Sequence, residues 1–428
     1  MKRKSAFFKR NQLAAFALAL VMLVVSSCTP SAVGALDPTF GTNGIVTVDL
    51  GSDLDSGKAV LVQPDGRIVM LASAQAQTPV LMRFNANGSV DSSFGVAGKL
   101  SVDFGYKGAL QSDGKLLVAG FSRGSFAVAR YDGDGTGLDT SFGTDGVALI
   151  PSDPGDFNYH LSDLILQPDR KIVVVGTQES QGHTTTIAVA RFTSEGMPDT
   201  SFNERGLIYV GEGDFPDSNY FYGEAVAIQP DGKIVVSGDM LDNDNLDEQI
   251  SLARLNPDGS LDAATFGTNG NGTVGIVLRY FKNVEGGLAL QRDGNIVVAG
   301  TVFTNWNQSN DNLALARFNT NGTLDPAFGG SGIVTTDLGL NENAEGILIQ
   351  ADGKIVVVGK IFAEEPSDIL LVRYNSDGSL DNRFGENGKV ITDLGEVPDS
   401  GNALAIQKDR KLVVTGSSNG DALLARYR

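Results

Sequence analysis

From Leu36 onward the chain is written in short apolar runs separated by polar turns. One arrangement recurs. Ala225-Val226-Ala227-Ile228 leads into Gln229-Pro230-Asp231-Gly232, and Lys233-Ile234-Val235-Val236 follows. The central acid of that turn returns as Asp65, Asp113, Asp169, Asp231, Asp293, Asp352 and Asp409. Runs rich in β-branched residues predict strands. Between them Pro pre-sets φ and Gly accepts φ > 0, which closes a tight hairpin. Arg170 and Arg410 stand where the other copies have Gly, so those two turns are expected to be altered or strained. A third run ends in Arg and a large residue, as in Arg83-Phe84, Arg191-Phe192 and Arg373-Tyr374. A polar turn with Leu-Asp-x-x-Phe-Gly then opens a fourth run, as in Leu380-Asp381 through Phe384-Gly385 to Val390-Ile391. The repeated Arg is expected to pair with the Asp of that turn, and the hairpin Asp to bond its own backbone.

Each unit therefore carries four strand signals suited to an antiparallel sheet. The ends of the series fit one another. The first unit is preceded by a lone fourth strand, Ile45-Val46-Thr47-Val48, and Leu423 to Tyr427 is a third strand with no fourth after it. A ring closed by that overlap removes an open edge. The expectation is an all-β, seven-bladed β-propeller of four-stranded antiparallel blades, its last blade completed by the N-terminal strand. A straight β-solenoid leaves the complementarity unexplained. The repeating region, 35–428, exceeds the roughly 250–300 residues one ordinary core supports. Units that pack only on their neighbours resolve this, so it reads as one domain.

The pattern A-x-A-I-Q-P-D-G-K-I-V-V-x-G, followed by A-x-A-R-[YF]-N-x-D-G-x-L-D-x-x-F-G-x-x-G, resembles the bacterial delta-60 repeats, assigned to a β-propeller domain of unknown function. The likeness runs from Leu36 to Arg428. It implies a fold and no activity.

The N-terminus has a different character. Lys2, Arg3, Lys4, Lys9 and Arg10 precede an apolar stretch, Leu13 to Val25, that is short for a membrane span. Val25-Ser26-Ser27-Cys28 is similar to a bacterial lipobox. That resemblance implies a lipoprotein signal peptide over 1–28, lipidation of Cys28 and a short tether over 29–34. The expected location is the bacterial cell envelope, outside the cytoplasm and anchored to a membrane, the outer one where the organism has two. Cys28 is the only cysteine, so no disulfide and no thiolate metal site is available.

Losing the five basic residues of 1–28 moves the net charge from −18 to −23. Such a surface repels phosphate backbones, which argues against nucleic acid as a partner. The expected partners are the membrane, through lipid on Cys28, and a glycan or protein ligand; the chain is read as a monomer.

Propeller connections sort onto two faces, and here the second-to-third and fourth-to-first ones vary in length. The longest fall at 151–162, 177–186, 211–223, 239–249 and 301–312. Variable loops on a rigid scaffold commonly carry binding. Phe157, Tyr159, His160, Phe215, Tyr220, Phe221, Tyr222, Phe303 and Trp306 lie there, beside polar and acidic residues. An exposed aromatic platform of this kind suits sugar stacking or peptide anchoring; packing inward to plug the loops is the bland alternative. The favoured reading is a non-catalytic binding module. A lyase- or dehydrogenase-like propeller, with His160 and Tyr220 or Glu224 as acid and base, is the alternative, and a spacer without ligand is the third. No cofactor or metal is expected: the acidic runs Asp242 to Glu248 and Asp132 to Gly135 fall short of the EF-hand spacing.

Overall fold

The computed structural model describes residues 33–74, 78–150, 158–180, 184–211, 218–242, 248–267, 271–276, 281–283, 287–305, 308–362 and 366–428. Cys28, Phe157, Phe215 and Trp306 lie outside these residues, as do 1–32 and the middle of the acidic run at 243–247. All named elements are β-strands.

One sheet shows the plan. Ser56–Val62, Ile68–Ser73, Val80–Phe84 and Lys99–Ser101 pair in chain order, each antiparallel to the next. The second strand, Ile-Val-Met-Leu-Ala, is buried throughout, whereas the fourth is largely exposed. This gradient explains the composition. A strand covered on both faces by neighbouring sheets needs an unbroken apolar run, and an outer strand does not.

The same order holds from Lys107–Leu110 to Val147–Leu149 and from Asn341–Ile349 to Lys389–Thr392. Between them lies an eight-stranded sheet made of two such antiparallel runs, joined by one parallel bridge, Thr185 to Tyr220. In the five-stranded sheet that follows, Phe281–Asn283 and Leu288–Leu290 both pair with Ile296–Asn305. The remaining sheet takes strands from both ends of the described chain. Ile45–Val48 pairs with Asp421–Tyr427, Ile45 opposite Ala425 and Val48 opposite Ala422.

Apolar clusters form between successive sheets: Val69, Leu71 and Leu81 pack with Leu116, Val118 and Ala127. The first and last sheets share one as well. Ile68, Met70 and Met82 pack with Val413, Ala422 and Leu424.

Two expectations from the sequence change here. The Gly-to-Arg exchange does not alter the hairpin: Arg170 and Arg410 keep the turn by adopting φ of 68° and 71°. Among the described residues, the segments read as long loops are largely strand. Asn158–Leu166 and Ser218–Ile228 are inner strands of nine and eleven residues, and Ile296–Asn305 with Gln308–Phe318 is one extended hairpin. Backbone pairing continues past the apolar core, where side-chain alternation no longer marks it.

Candidate functional site

A charged residue repeated in every unit invites a functional reading, so the Arg series comes first. Arg191 Nε donates to Asp199 Oδ2 at 2.6 Å, and its guanidinium lies 4.6 Å from the centre of the Phe202 ring. Its Nη1 crosses to the next unit and bonds the Pro257 carbonyl at 2.6 Å. Arg83, Arg130, Arg254 and Arg317 repeat all three contacts with their own partners. Arg426 makes the same bracket across the two ends, holding Asp37 beside Phe40 and reaching the Ala86 carbonyl. Burial works to raise the Asp199 carboxyl, but Ser201, Lys171 and Arg191 outweigh it and hold the group down at about 2. These residues are mutually satisfied and enclosed. They staple units together. The hairpin acids are equally occupied, as where Asp65 accepts from the Arg67 N–H at 3.0 Å.

The described members of the predicted aromatic set differ in exposure. Tyr159 is buried, edge-on to Phe126 with centroids 5.1 Å apart, and its hydroxyl meets that of Tyr209 at 2.6 Å. Phe221 is fully enclosed, and Thr185 Oγ1 accepts from its N–H at 2.9 Å. Both belong to the packing between sheets, because the inner strands they sit on extend further than expected. Tyr220, Tyr222 and Phe303 are half-buried and His160 is exposed. His160 and Glu224, paired in the catalytic alternative, are not brought together in a described cavity: only Glu224 lines one.

That cavity is built by the first strand of each repeat unit, the one that leads into the Asp turn. Ser56–Val62, Lys107–Leu110, Asn158–Leu166, Ser218–Ile228, Leu288–Leu290, Asn341–Ile349 and Asp399–Ile406 all send residues to one space of about 230 Å³. Five of these strands are irregular at the place that faces it. The register slips between Gly57 and Ala59, Leu161 and Asp163, Gly223 and Ala225, Ala344 and Gly346, and Gly401 and Ala403. A bulge frees one residue from the ladder and re-aims its neighbourhood. Lys58, Glu224, Glu345 and Asn402 are such bulged residues, and they line the cavity with Lys107 and Asp163.

Its electrostatics are mixed. Burial lowers the Lys58 ammonium, with Glu345 opposing the shift. Burial raises the Asp163 carboxyl, against Lys107 and the amides of Val226 and Leu164, which donate to it at 3.0 and 2.8 Å. Asp163 retains some surface, and that surface faces the confined cavity. Cation and acid are thus both pushed toward neutrality in one polar space, a pattern enriched at functional sites.

A second concavity, an open groove of about 980 Å³, lies where the first and last sheets meet. Asp49, Asp55 and Asp421 converge in it, with oxygens within 4.8 Å of one another. Asp55 is held by the Leu50 amide and by Ser52 Oγ. The sequence reading missed this feature, although a signal exists. Asp-Leu-Gly followed five or six residues later by an acid occurs as Asp49 with Asp55, Asp337 with Glu342 and Asp393 with Asp399.

Comparison with known proteins finds one family model that matches the chain in six segments. The model of a domain of unknown function (DUF5122) beta-propeller matches residues 63–94, 111–142, 167–202, 229–264, 291–328 and 350–384. No curated protein sequence matches the chain. Among solved structures the fold is similar to that of the polysaccharide lyase Uly1, at 12% identity and a TM-score of 0.53, over 87% of this chain and 90% of that one. An ulvan lyase from a new polysaccharide lyase family is similar at 12% identity and a TM-score of 0.51, over 89% and 95%. The β-propeller domain of the Trilobed protease from Pyrococcus furiosus is similar at 9% identity and a TM-score of 0.46, over 88% and 94%. At such identities the likeness shows the fold alone.

Proposed function

We propose, from the premise that the chain carries a β-propeller domain of unknown function, that it is a binding module of a bacterial cell envelope, held to a membrane by lipid on Cys28. In this reading the sheets form seven blades and the pairing of Ile45–Val48 with Asp421–Tyr427 closes the ring. The ligand is a glycan, which enters the central cavity end-on.

The observation that carries the binding reading is the convergence of every first strand on one polar cavity. Carboxylates of Glu224, Glu345 and Asp163 accept from hydroxyls, and the ammonium groups of Lys58 and Lys107 donate to ring or carboxyl oxygens. At about 230 Å³ the space is smaller than a typical drug-sized pocket, so it suits one terminal group of a longer chain. The aromatic half of the earlier expectation contributes less, since Tyr159 and Phe221 are structural.

The test is binding of the purified protein to an array of envelope and host glycans, with a folded Glu224→Gln/Lys107→Met variant beside it. The expected result is a glycan bound by the parent and lost, by tenfold or more, in the variant. Equal binding by both proteins would overturn the cavity as the site.

One observation favours a second reading. Lys58 and Asp163 are displaced toward each other's range in the same cavity, as general acid–base pairs are. A polysaccharide-cleaving propeller then becomes the alternative. Incubation with candidate polysaccharides and detection of new reducing ends separates the two: a binder leaves the polymer intact.

A further inference from the structure

The acidic motif recurs at the junction next to the open groove, again with one buried, one half-buried and one exposed acid. Asp368 opens the strand Asp368–Tyr374, Asp393 follows Lys389–Thr392, and Asp399 opens Asp399–Ile406 in the next sheet. Carboxylate oxygens of the three lie within 4.8 Å of one another. The backbone fixes them in place. The Leu394 amide donates to Asp399 Oδ2 at 3.0 Å, the Gly395 amide to Asp393 Oδ1 at 2.7 Å, and the Asp399 amide to the Ser367 carbonyl at 2.7 Å.

A second fact sets this cluster apart from a solvated acidic loop. Asp399 is 1% exposed, and its Oδ1 is buried without a hydrogen-bond partner. Ser418 faces it across the strand pair and eases its charge, yet no donor meets normal geometry at that oxygen. An unsatisfied buried carboxylate oxygen is costly. Three carboxylates this close repel one another. A cation between the three removes the repulsion and satisfies the orphan oxygen at once.

We propose that Asp368, Asp393 and Asp399 form a calcium site that ties the last two sheets of the chain together. The donors are oxygens only, which excludes the metals that need imidazole or thiolate. Calcium bonds lie near 2.3–2.6 Å, so ligands around one ion stand up to about 5 Å apart, and oxygens within 4.8 Å of one another can share it. Magnesium demands a tighter octahedron at about 2.0–2.1 Å, which an irregular set drawn from two strand starts and a connection fits poorly. Water completes the shell on the side of Asp393, which is exposed.

The experiment is a calorimetric titration of the purified, EGTA-stripped full chain with calcium chloride, with thermal unfolding followed at constant ionic strength. Asp399→Asn and the exposed-site variant Asp393→Asn are measured alongside, as is magnesium chloride. The readout is the number of calcium ions lost with each substitution, so ions held elsewhere do not enter. The expected result is one calcium ion fewer in Asp399→Asn and affinity reduced about tenfold or more in Asp393→Asn, since affinity follows ligand charge. Metal-free Asp399→Asn should also unfold at or above the parent's temperature, because the repulsion is relieved. Unchanged stoichiometry and affinity in both variants would overturn the site. Equal response to magnesium would overturn its assignment to calcium.

Discussion

At the scale of single residues, identical chemistry takes opposite signs according to its neighbours. Asp199 is buried beside Arg191 and Lys171 and is held low, at about 2. It therefore stabilises the fold above its unfolded value near 4 and loses that contribution as pH falls toward 2. Glu342 is fully enclosed, and the Leu340 and Leu338 amides and Lys389 do not outweigh that burial. Burial first, and Asp337 with it, pushes this carboxyl up to about 7 from an ordinary 4.5. The folded state thus holds its proton more tightly than the unfolded chain. Its contribution is complete below about 4.5 and is lost as pH rises through 7. Glu342→Gln is expected to be more stable than the parent at pH 8, with the advantage shrinking steadily toward pH 5; parallel melting curves at the two pH values would refute this. The Arg–Asp brackets were legible in the sequence because both partners recur at fixed spacing. Glu342 was not, because its spacing from Asp337-Leu338-Gly339 does not say how deeply the strand Asn341–Ile349 buries it.

At the scale of the strand and hairpin, the repeat was legible wherever apolar periodicity and turn chemistry agreed. The aromatic segments were not. Tyr159 and Phe221 lie where strands run past the core, and polar-rich sequence there reads as loop although the backbone remains paired. The bulges that aim Lys58, Glu224, Glu345 and Asn402 were also hidden, since a bulge changes register without changing composition. The hairpins allow a direct test. Arg410 holds a left-handed φ of 71° where Gly353 has 86° in the equivalent turn. Such a conformation costs an L-residue about 1–2 kcal/mol, and Gly returns part of that gain through the freedom of the unfolded chain. Arg410→Gly should raise stability by about 0.5–1 kcal/mol in urea denaturation. The converse exchange, Gly353→Arg, should lower it, and a loss in both would show that the Arg side chain itself is needed.

At the scale of the whole molecule, Asp37 sits in the position an internal Asp occupies in every other unit. Arg426 and Lys411 both hold it, with Oδ2 at 2.9 and 3.1 Å. Removing residues 36–48 takes away this acid together with the partner strand of Asp421–Tyr427. The exposed edge is then a template for pairing with another chain. Light scattering after size exclusion should show association of the shortened protein and a lowered unfolding temperature; a monomer as stable as the parent would mean that the pairing contributes little.

That same pairing sets a timetable. Ile45–Val48 is among the first strands to be synthesised and Asp421–Tyr427 the last of those described, so the early strand has no partner until nearly the whole chain has emerged. Contacts between such distant segments form slowly. A chain halted before Asp421 leaves both Ile45–Val48 and Leu412–Ser418 without the strand they share, which marks it as unfinished to any protease or chaperone that reads exposed strands.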